Sequence, residues 1–324
     1  DCIEVNADDI AYATANWTYA NDNIDAGVDF SVVCAPEGYT YVPDDNFEQA
    51  LIDLGYDDVL NDFVLTENIS GVTNLDVENE GISDLTGIED FTALEELKCH
   101  QNQLTSLDVS ANTSLTTLYC HNNSLTSLDV SFNTALTSLD CNTNELTSLD
   151  VSNNTNLTYL NCTLNQLTSL DVSSNTALTY LHCKHNSLTG LDVSANTALT
   201  ELQCYENQLT SLDLSNNTAL TYLECQVNEL TSLDVSSNTA LTYLSCSSNQ
   251  LTSLDVSANT ALTYLHCESN HLTSLDVSAN TALIDLWLEN NQFTSLNVSS
   301  NTNLTNLGLN YNQLTSLDVS NNIA

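Results

Sequence analysis

Six histidines, both lysines and a set of tyrosines spaced 21 residues apart carry most of the chemistry this chain has to offer. One column of positions reads Thr117, Ser138, Tyr159, Tyr180, Glu201, Tyr222, Tyr243, Tyr264, Asp285 and Asn306. A second includes Lys98, Tyr119, His182, Gln203, Glu224, His266 and Trp287, and a third includes His100, His121, Lys184, Tyr205, Glu268 and Glu289. His185 and His271 sit in the turn that follows. Aromatic and imidazole groups give broad contact area with a polar edge at low entropic cost. The columns therefore predict a ligand-binding face built from Tyr159, Tyr180, His182, Lys184, Tyr205, Tyr222, Tyr243, Tyr264, His266 and Trp287. A plainer reading is that the tyrosines stack coil on coil to stabilise a parallel sheet. The two are compatible.

Two further columns are monotonous. Asp recurs at 108, 129, 150, 171, 192, 213, 234, 255 and 276, with Asn297 interrupting before Asp318. Carboxylates stacked about 4.8 Å apart repel unless something lies between them. Weak Ca²⁺ sites at Asp129, Asp150, Asp171 and Asp192 are one expectation, since hard oxygen ligands suit that ion. The other is that neighbouring Ser and Thr donate to the Asp column and salt screens the rest. No calcium-loop signature is present, so no cofactor is required.

Nine successive units carry Cys, from Cys99 to Cys267, before Leu288 and Leu309 take over. This column alternates with Leu and offers no metal-type pair spacing, so it reads as buried, reduced thiol. Cys2 and Cys34 lie outside the array and are expected to form a disulfide in an oxidising compartment. His100 and His121 share a column in adjacent coils and could share a transition metal. His182 and His266 lie four coils apart, about 19 Å at strand spacing, and could not. A nucleophilic site needs one residue beside a base and unlike its surroundings. A regular lattice of Ser and Asp provides none, so the chain is expected not to be an enzyme.

The elements that position these columns come from an internal repeat. LTSLDVS, with small variations, begins at Leu104, Leu125, Leu146, Leu167, Leu188, Leu209, Leu230, Leu251, Leu272, Phe293 and Leu314. The alternating string, Leu115-Thr-Thr-Leu118-Tyr-Cys120-His-Asn-Asn123-Ser-Leu125, matches the leucine-rich-repeat pattern. Each unit holds two similar half-units, each ending in Asn. The two Asn columns, 102 to 312 and 112 to 322, predict two tight corners where side-chain amides satisfy backbone groups. The expected fold is a mainly β solenoid of 21-residue coils, flattened, with parallel β-sheets on both sides and no outer helical wall.

Three segments follow. Residues 1–36 read as a small disulfide-closed β-module or the tail of an upstream domain. Residues 37–74 form a helical N-terminal cap, with an amphipathic helix beginning near Asp44, stopping at Gly55, and a second short helix or turn around Asp57–Phe63. Residues 75–324 form the solenoid of about 11–12 coils, whose first coil is 22 residues long (Leu75 to Leu97). The chain opens at Asp1, contains no Met and ends on Asn321-Asn322-Ile323-Ala324 without a C-terminal cap. It reads as a piece of a larger exported protein.

Val42-Pro-Asp-Asp-Asn-Phe-Glu-Gln-Ala-Leu51, then Ile69-Ser-Gly-Val-Thr-Asn-Leu75 and Gly81-Ile-Ser-Asp-Leu85-Thr-Gly-Ile88, resemble the caps of bacterial internalin-type leucine-rich-repeat proteins. The 21-residue unit resembles cell-surface proteins of flavobacteria and their relatives. Together the resemblance covers about residues 37–324. It implies a secreted or surface-exposed adhesion protein, exported by the outer-membrane secretion system of that phylum. Ligands differ among such proteins, so no binding residue carries over.

Charge narrows the partners. Against 43 Asp and Glu stand two Lys, for a formal net charge of −41. Such a surface repels nucleic acid and anionic lipid, whose binding depends on basic side chains. No stretch approaches the roughly 20 apolar residues that span a bilayer. The expected function is extracellular adhesion or ligand binding, with a protein or glycan on another surface, or copies of the chain itself, as partner. The alternative is a structural spacer or filament-forming subunit that projects other domains. Ice binding is disfavoured by the ionised Asp column.

Overall fold

In a computed structural model the chain is described at residues 2–4, 13–14, 29–31 and 35–323. Near the N-terminus, β1 (Cys2–Glu4) pairs in parallel with β2 (Asp29–Ser31). The Cys2–Cys34 disulfide lies outside the described residues.

The cap begins with β3 (Tyr39–Tyr41), which pairs antiparallel with β4 (Phe63–Leu65). Between them runs α1 (Asp45–Asp53). Asp44 starts it by accepting from the backbone N–H groups of Asn46 and Phe47, an N-cap that satisfies donors no helical carbonyl can reach. Phe47, Ala50 and Leu51 form the buried stripe, and Gly55, at φ +81°, ends the helix region where an L side chain would be strained. The other oxygen of Asp44 reaches the first coil, accepting from Ser83 N at 2.8 Å, Ser83 Oγ at 2.7 Å and Asp84 N at 3.0 Å. One carboxylate thus starts the helix and fastens it to the array. The second helix departs from the sequence reading. Residues 57–62 make bends, and a single helical turn, α2 (Thr66–Ile69), follows β4 instead. Phe63, Val64 and Leu65 go into β4, which buries Val64 completely, while Val59 and Leu60 stay exposed in the bends before it.

The array contributes twelve three-residue strands to one parallel sheet, β5 (Asn74–Asp76) through β16 (Asn306–Gly308), in strict sequence order. Pairing of Asn74 with Glu96 confirms the 22-residue first coil, and Glu96 with Thr117 starts the 21-residue register. The Leu, Cys and Val positions of the coils are buried in, or packed against, one continuous core, except in the last coil, where Leu317 and Val319 are exposed. All nine array cysteines are buried and unpaired. Burial pushes the thiols of Cys99, Cys162 and Cys204 up to about 12, which keeps them protonated and unreactive.

Only one side of the coil is a sheet. The side expected to carry the second sheet shows a single isolated bridge between Asp108 and Asp129. Its outward positions are Ser and Asp, poor strand formers that favour local turns, whereas the true sheet carries Tyr, Thr and Trp. The backbone there is held by side chains. Each Asp Oδ1 accepts from the N–H two residues on, as Asp171 does from Ser173 at 2.9 Å.

Both Asn columns act as the sequence suggested, but differently. Asn249 donates to Cys225 O and Cys246 O and accepts from Leu230 N. Asn259, at the opposite corner, donates to Val235 O and Asn238 O, while its buried Oδ1 has no donor. A Thr column adds a further stitch, with Thr221 Oγ1 donating to Thr200 O at 3.0 Å.

Candidate ligand-binding face

Every three-residue strand turns its central Leu inward, so its first and third residues share the outer face of the sheet. This alternation places all three variable columns on one side. They resolve into clusters.

Near the N-terminal end, the rings of His100 and His121 stack at 4.2 Å. His100 Nε2 lies 2.6 Å from Glu78 Oε2, and Lys98 pairs with Glu96 and Asp76. The Nδ1 atoms of both histidines are buried without hydrogen-bond partners. Burial lowers the His121 pKa, with Asp140 opposing and His100 adding to the depression.

The middle cluster joins five of the residues singled out by sequence. Tyr159 and Tyr180 approach to 6.3 Å, and Tyr159 meets the edge of His182 at 5.7 Å. His182 Nε2 lies 2.9 Å from Glu201 Oε1. Gln203 Nε2 donates to the same oxygen, and Lys184 Nζ donates to Gln203 Oε1 at 2.7 Å. Lys184 also sits 5.0 Å from the centre of the Tyr205 ring, a cation–π contact. Burial lowers the His182 pKa despite the opposing pull of Glu201. For Tyr159, burial and then Asp140 push the phenol up to about 12.

A third cluster spans four strands. Tyr222 and Tyr243 stack with centroids 4.3 Å apart and planes 12° from parallel. Tyr264, His266 and Trp287 extend the row through contacts of 5.9, 5.7 and 6.2 Å. His266 Nε2 lies 3.4 Å from Asp285 Oδ1, close enough for an ion pair but without hydrogen-bond alignment. Tyr222 donates to Glu224 Oε1 at 2.9 Å. Burial, then that carboxylate, raises the Tyr222 pKa, so the phenol stays neutral at physiological pH. Tyr180, Tyr264 and Trp287 remain 43%, 39% and 38% exposed, so the face is open despite the stacking.

Stacking and exposure thus coexist, as the two sequence readings allowed. The middle and third clusters do not merge, because Glu201 interrupts the Tyr column between Tyr180 and Tyr222. Sequence reasoning passed over two features. Glu201, Glu224 and Asp285 hold the His and Tyr groups in place. The turn beyond the sheet is also a variable column, reading Gln101, Asn122, Thr143, Leu164, His185, Glu206, Val227, Ser248, Ser269, Asn290 and Tyr311. Each of these non-glycine residues adopts a positive φ, between +51° and +59°. Leu164, Val227 and Tyr311 are exposed there. Their diversity within a near-constant repeat was the available signal.

Across the coil, Asp129, Asp150, Asp171 and Asp192 stand in solvent. Hydrogen bonds from the Ser two residues on hold each carboxyl below the usual range. Among the described residues, three metal-ligating side chains converge in the cap and not in this column. No helix of the described residues is long and apolar enough to cross a membrane.

Comparison with known proteins places this architecture. The family described as Leucine Rich repeats (2 copies) matches residues 239–280. Internalin J of Listeria monocytogenes serotype 4b (strain F2365) is 41% identical over 73 residues, which is 22% of this chain and 8% of that protein. The sequence match therefore spans about a twelfth of that relative's length. The solved functional domain of internalin J from Listeria monocytogenes, described as including a cysteine ladder, aligns at 41% identity and TM-score 0.71, over 88% of this chain and 74% of that one. Internalin F from the same species aligns at 26% identity and TM-score 0.72, over 85% and 92%. With its helical cap, its single parallel sheet and its column of buried cysteines, the chain belongs to the internalin-like leucine-rich-repeat proteins.

Proposed function

We propose that this chain is a non-enzymatic extracellular module that binds a ligand, protein or glycan, through the Tyr/His face of its sheet. It would act in adhesion on or outside a flavobacteria-like cell. The observation that carries the reading is the contiguous row Tyr222, Tyr243, Tyr264, His266 and Trp287, left partly open in a chain whose opposite side presents Ser and Asp. Interfaces draw binding energy from aromatic anchors of this kind. The carboxylates between them favour partners with exposed basic groups. Internalin-like relatives support a binding role over a catalytic one, and the regular lattice offers no singular nucleophile.

The test replaces Tyr180, His182, Tyr222 and Tyr243 together with Ser or Thr, residues that other coils already carry in these columns. Adhesion of cells or coated beads to host-derived and polysaccharide surfaces is then compared, with folding followed by circular dichroism. Loss of adhesion with the fold intact supports the recognition face. Unchanged adhesion moves the reading to a spacer that projects other domains. Deleting whole coils separates the two again, because a spacer only shortens whereas a binding site fails when particular coils go.

A further inference from the structure

Hydrogen bonding on the outer face of the sheet is complete in some coils and not in others. One outward column runs through Gln226, Ser247, Glu268 and Glu289, one residue in each of four consecutive coils. The strands beneath are in register, so successive members lie about 4.8 Å apart. Among the described residues, Gln226 Oε1, Ser247 Oγ, Glu268 Oε2 and Glu289 Oε2 are all buried without a hydrogen-bond partner. Ser247 itself is only 7% exposed. The backbone makes no claim on these side chains, because the ladder already serves it: Val227 N donates to Ser247 O, and Ser248 N to Glu268 O. Glu289 lies over Gly308 of the next coil, where a Cβ would collide with its carboxylate.

Buried acceptors without donors are costly, and carboxylates most of all. The chain has little to offer them, since its only lysines are Lys98 and Lys184 and it contains no arginine. Lys98 is paired with Asp76 and Glu96. Lys184 stands in the same column, two coils before Gln226, and shows what this face accepts. Its Nζ donates to Gln203 Oε1 at 2.7 Å and lies 5.0 Å from the centre of the Tyr205 ring. Beyond it the acceptors and aromatic rings continue and the cation does not. We infer that the stretch from Gln226 to Glu289 binds guanidinium groups on an arginine-rich segment of a partner protein. This inference rests on the reading of the sheet face as the recognition surface. A guanidinium carries five N–H donors in one plane, matches carboxylates bidentately and stacks on aromatic rings. Tyr264 and Trp287 supply exposed rings beside the column. Glu268 and Glu289 are only half-buried, so rotation of their side chains brings the free oxygens to a ligand. A neutral glycan would leave their charge uncompensated in a chain of net charge −41.

The experiment is calorimetric binding of an Arg-Gly repeat peptide to the intact chain at about 0.15 M salt, where diffuse attraction is largely screened. The same peptide with citrulline for arginine keeps the shape and removes the charge. Glu268→Gln/Glu289→Gln is compared with a charge-matched control on the opposite side of the coil, Asp234→Asn/Asp255→Asn, with folding checked by circular dichroism. The wild type and the control are expected to prefer the arginine peptide, and the Glu variant to bind it about tenfold more weakly or worse. Gly308→Ala supplies a readout at constant net charge, because the new methyl group displaces the Glu289 carboxylate, and it is expected to weaken the peptide severalfold. The proposal is overturned if the Glu variant binds like wild type, if the control loses as much as the Glu variant, or if Gly308→Ala changes nothing. Equal binding of the citrulline peptide overturns it as well. Adhesion of the Tyr180, His182, Tyr222 and Tyr243 variant separates this failure from that of the wider reading. If the peptide arm fails and that variant still loses adhesion, the face stands and its ligand is uncharged, a glycan among the choices. If adhesion is unchanged too, the face itself is not the recognition surface.

Discussion

The two sides of each coil are built from near-duplicate half-units, LTxLxCxxN and LTSLDVSxN, yet one becomes a twelve-stranded sheet and the other does not. On the sheet side, backbone ladders carry each coil onto the next, as Cys204 N donates to Glu224 O at 2.8 Å. The outward positions are thereby free to vary, and aromatic and imidazole groups occupy them. On the other side, Asp, Ser and Asn side chains are consumed in holding the backbone, and the sequence stays constant. Variation is permitted where main-chain bonds do the holding and forbidden where side chains do it. The same rule explains why the candidate binding residues lie on one side only.

The two Asn corners give the sharpest test. Asn249 bonds four buried backbone groups, the carbonyls of Cys225, Cys246 and Ser247 and the N–H of Leu230, and uses both ends of its amide. Asn259 bonds two carbonyls that each also accept a backbone N–H, and leaves its own Oδ1 buried without a donor. Orphaning a buried polar group costs about 1–3 kcal/mol. We expect Asn249→Ala to destabilise by roughly 3–4 kcal/mol and Asn259→Ala by roughly 2 kcal/mol, since removal of an unsatisfied oxygen offsets part of the loss. Urea melts followed by far-ultraviolet circular dichroism check the order. An equal or larger cost at Asn259 would break the comparison.

The corners differ again in backbone conformation. The sheet-side corner forces a positive φ on a non-glycine residue in every coil from Gln101 to Tyr311, including the β-branched Thr143 and Val227. The corner around Asn112 turns without one among the described residues. Left-handed geometry costs an L residue roughly 1–2 kcal/mol, and Asn tolerates it best. Val227 is exposed, so Val227→Asn, copying Asn122 and Asn290, is expected to stabilise by about 1 kcal/mol. A melting temperature that falls instead would mean that the Val227 side chain makes contacts outweighing this strain.

Much of this was legible in the sequence. The period of 21, the inward Leu and Cys and the two Asn columns follow from spacing alone, because identical units must repeat their contacts. The second sheet was misjudged, because alternation of apolar residues looks the same for a strand and for an extended segment whose Asp and Ser bond locally. The candidate face was legible as columns but not as clusters. Which tyrosine stacks on which, and which Glu holds which His, depends on side-chain angles that periodicity does not encode. Buried Glu48 of α1 accepts from Asn61 N and Phe63 N, contacts 13 and 15 positions apart outside the array, where no repeat advertises them.

Near-neutral pH offers a finer contrast, since the histidines lie on the sheet side and its adjoining turn. Burial lowers the His182 pKa below its usual 6.5 in the folded chain, outweighing Glu201. The unfolded chain therefore takes up the proton first as pH drops. The contribution is complete above about 6.5, is lost as pH falls below that value, and levels off once the folded imidazole protonates. Melting temperatures measured between pH 7.5 and 5.5 should fall for the wild type and fall less steeply for His182→Gln. Identical slopes would assign the pH response to other groups.

The smallest effect belongs to the constant side. Bonds from Ser173 hold the Asp171 carboxyl below its usual range, against the repulsion of Asp150 and Asp192. For a lowered carboxylate the sign is opposite in range: its contribution is complete above the unfolded value near 4 and is lost only as pH falls through the lower folded value. At neutral pH the Oδ1 acceptor matters more than the charge, and one coil already demonstrates the exchange. Asn297 stands in the Asp column and accepts from Ser299 N at 3.1 Å, where Asp171 accepts from Ser173 N at 2.9 Å. Asp171→Asn should therefore leave the melting temperature unchanged in high salt. In low salt it should raise it slightly, because the Debye length grows from about 3 Å at 1 M to about 30 Å at 0.01 M and repulsion along the column is felt. A drop in stability at every salt concentration would mean that charge, not the acceptor oxygen, holds this side together. The constancy of the Asp column would then need a bound cation to explain it.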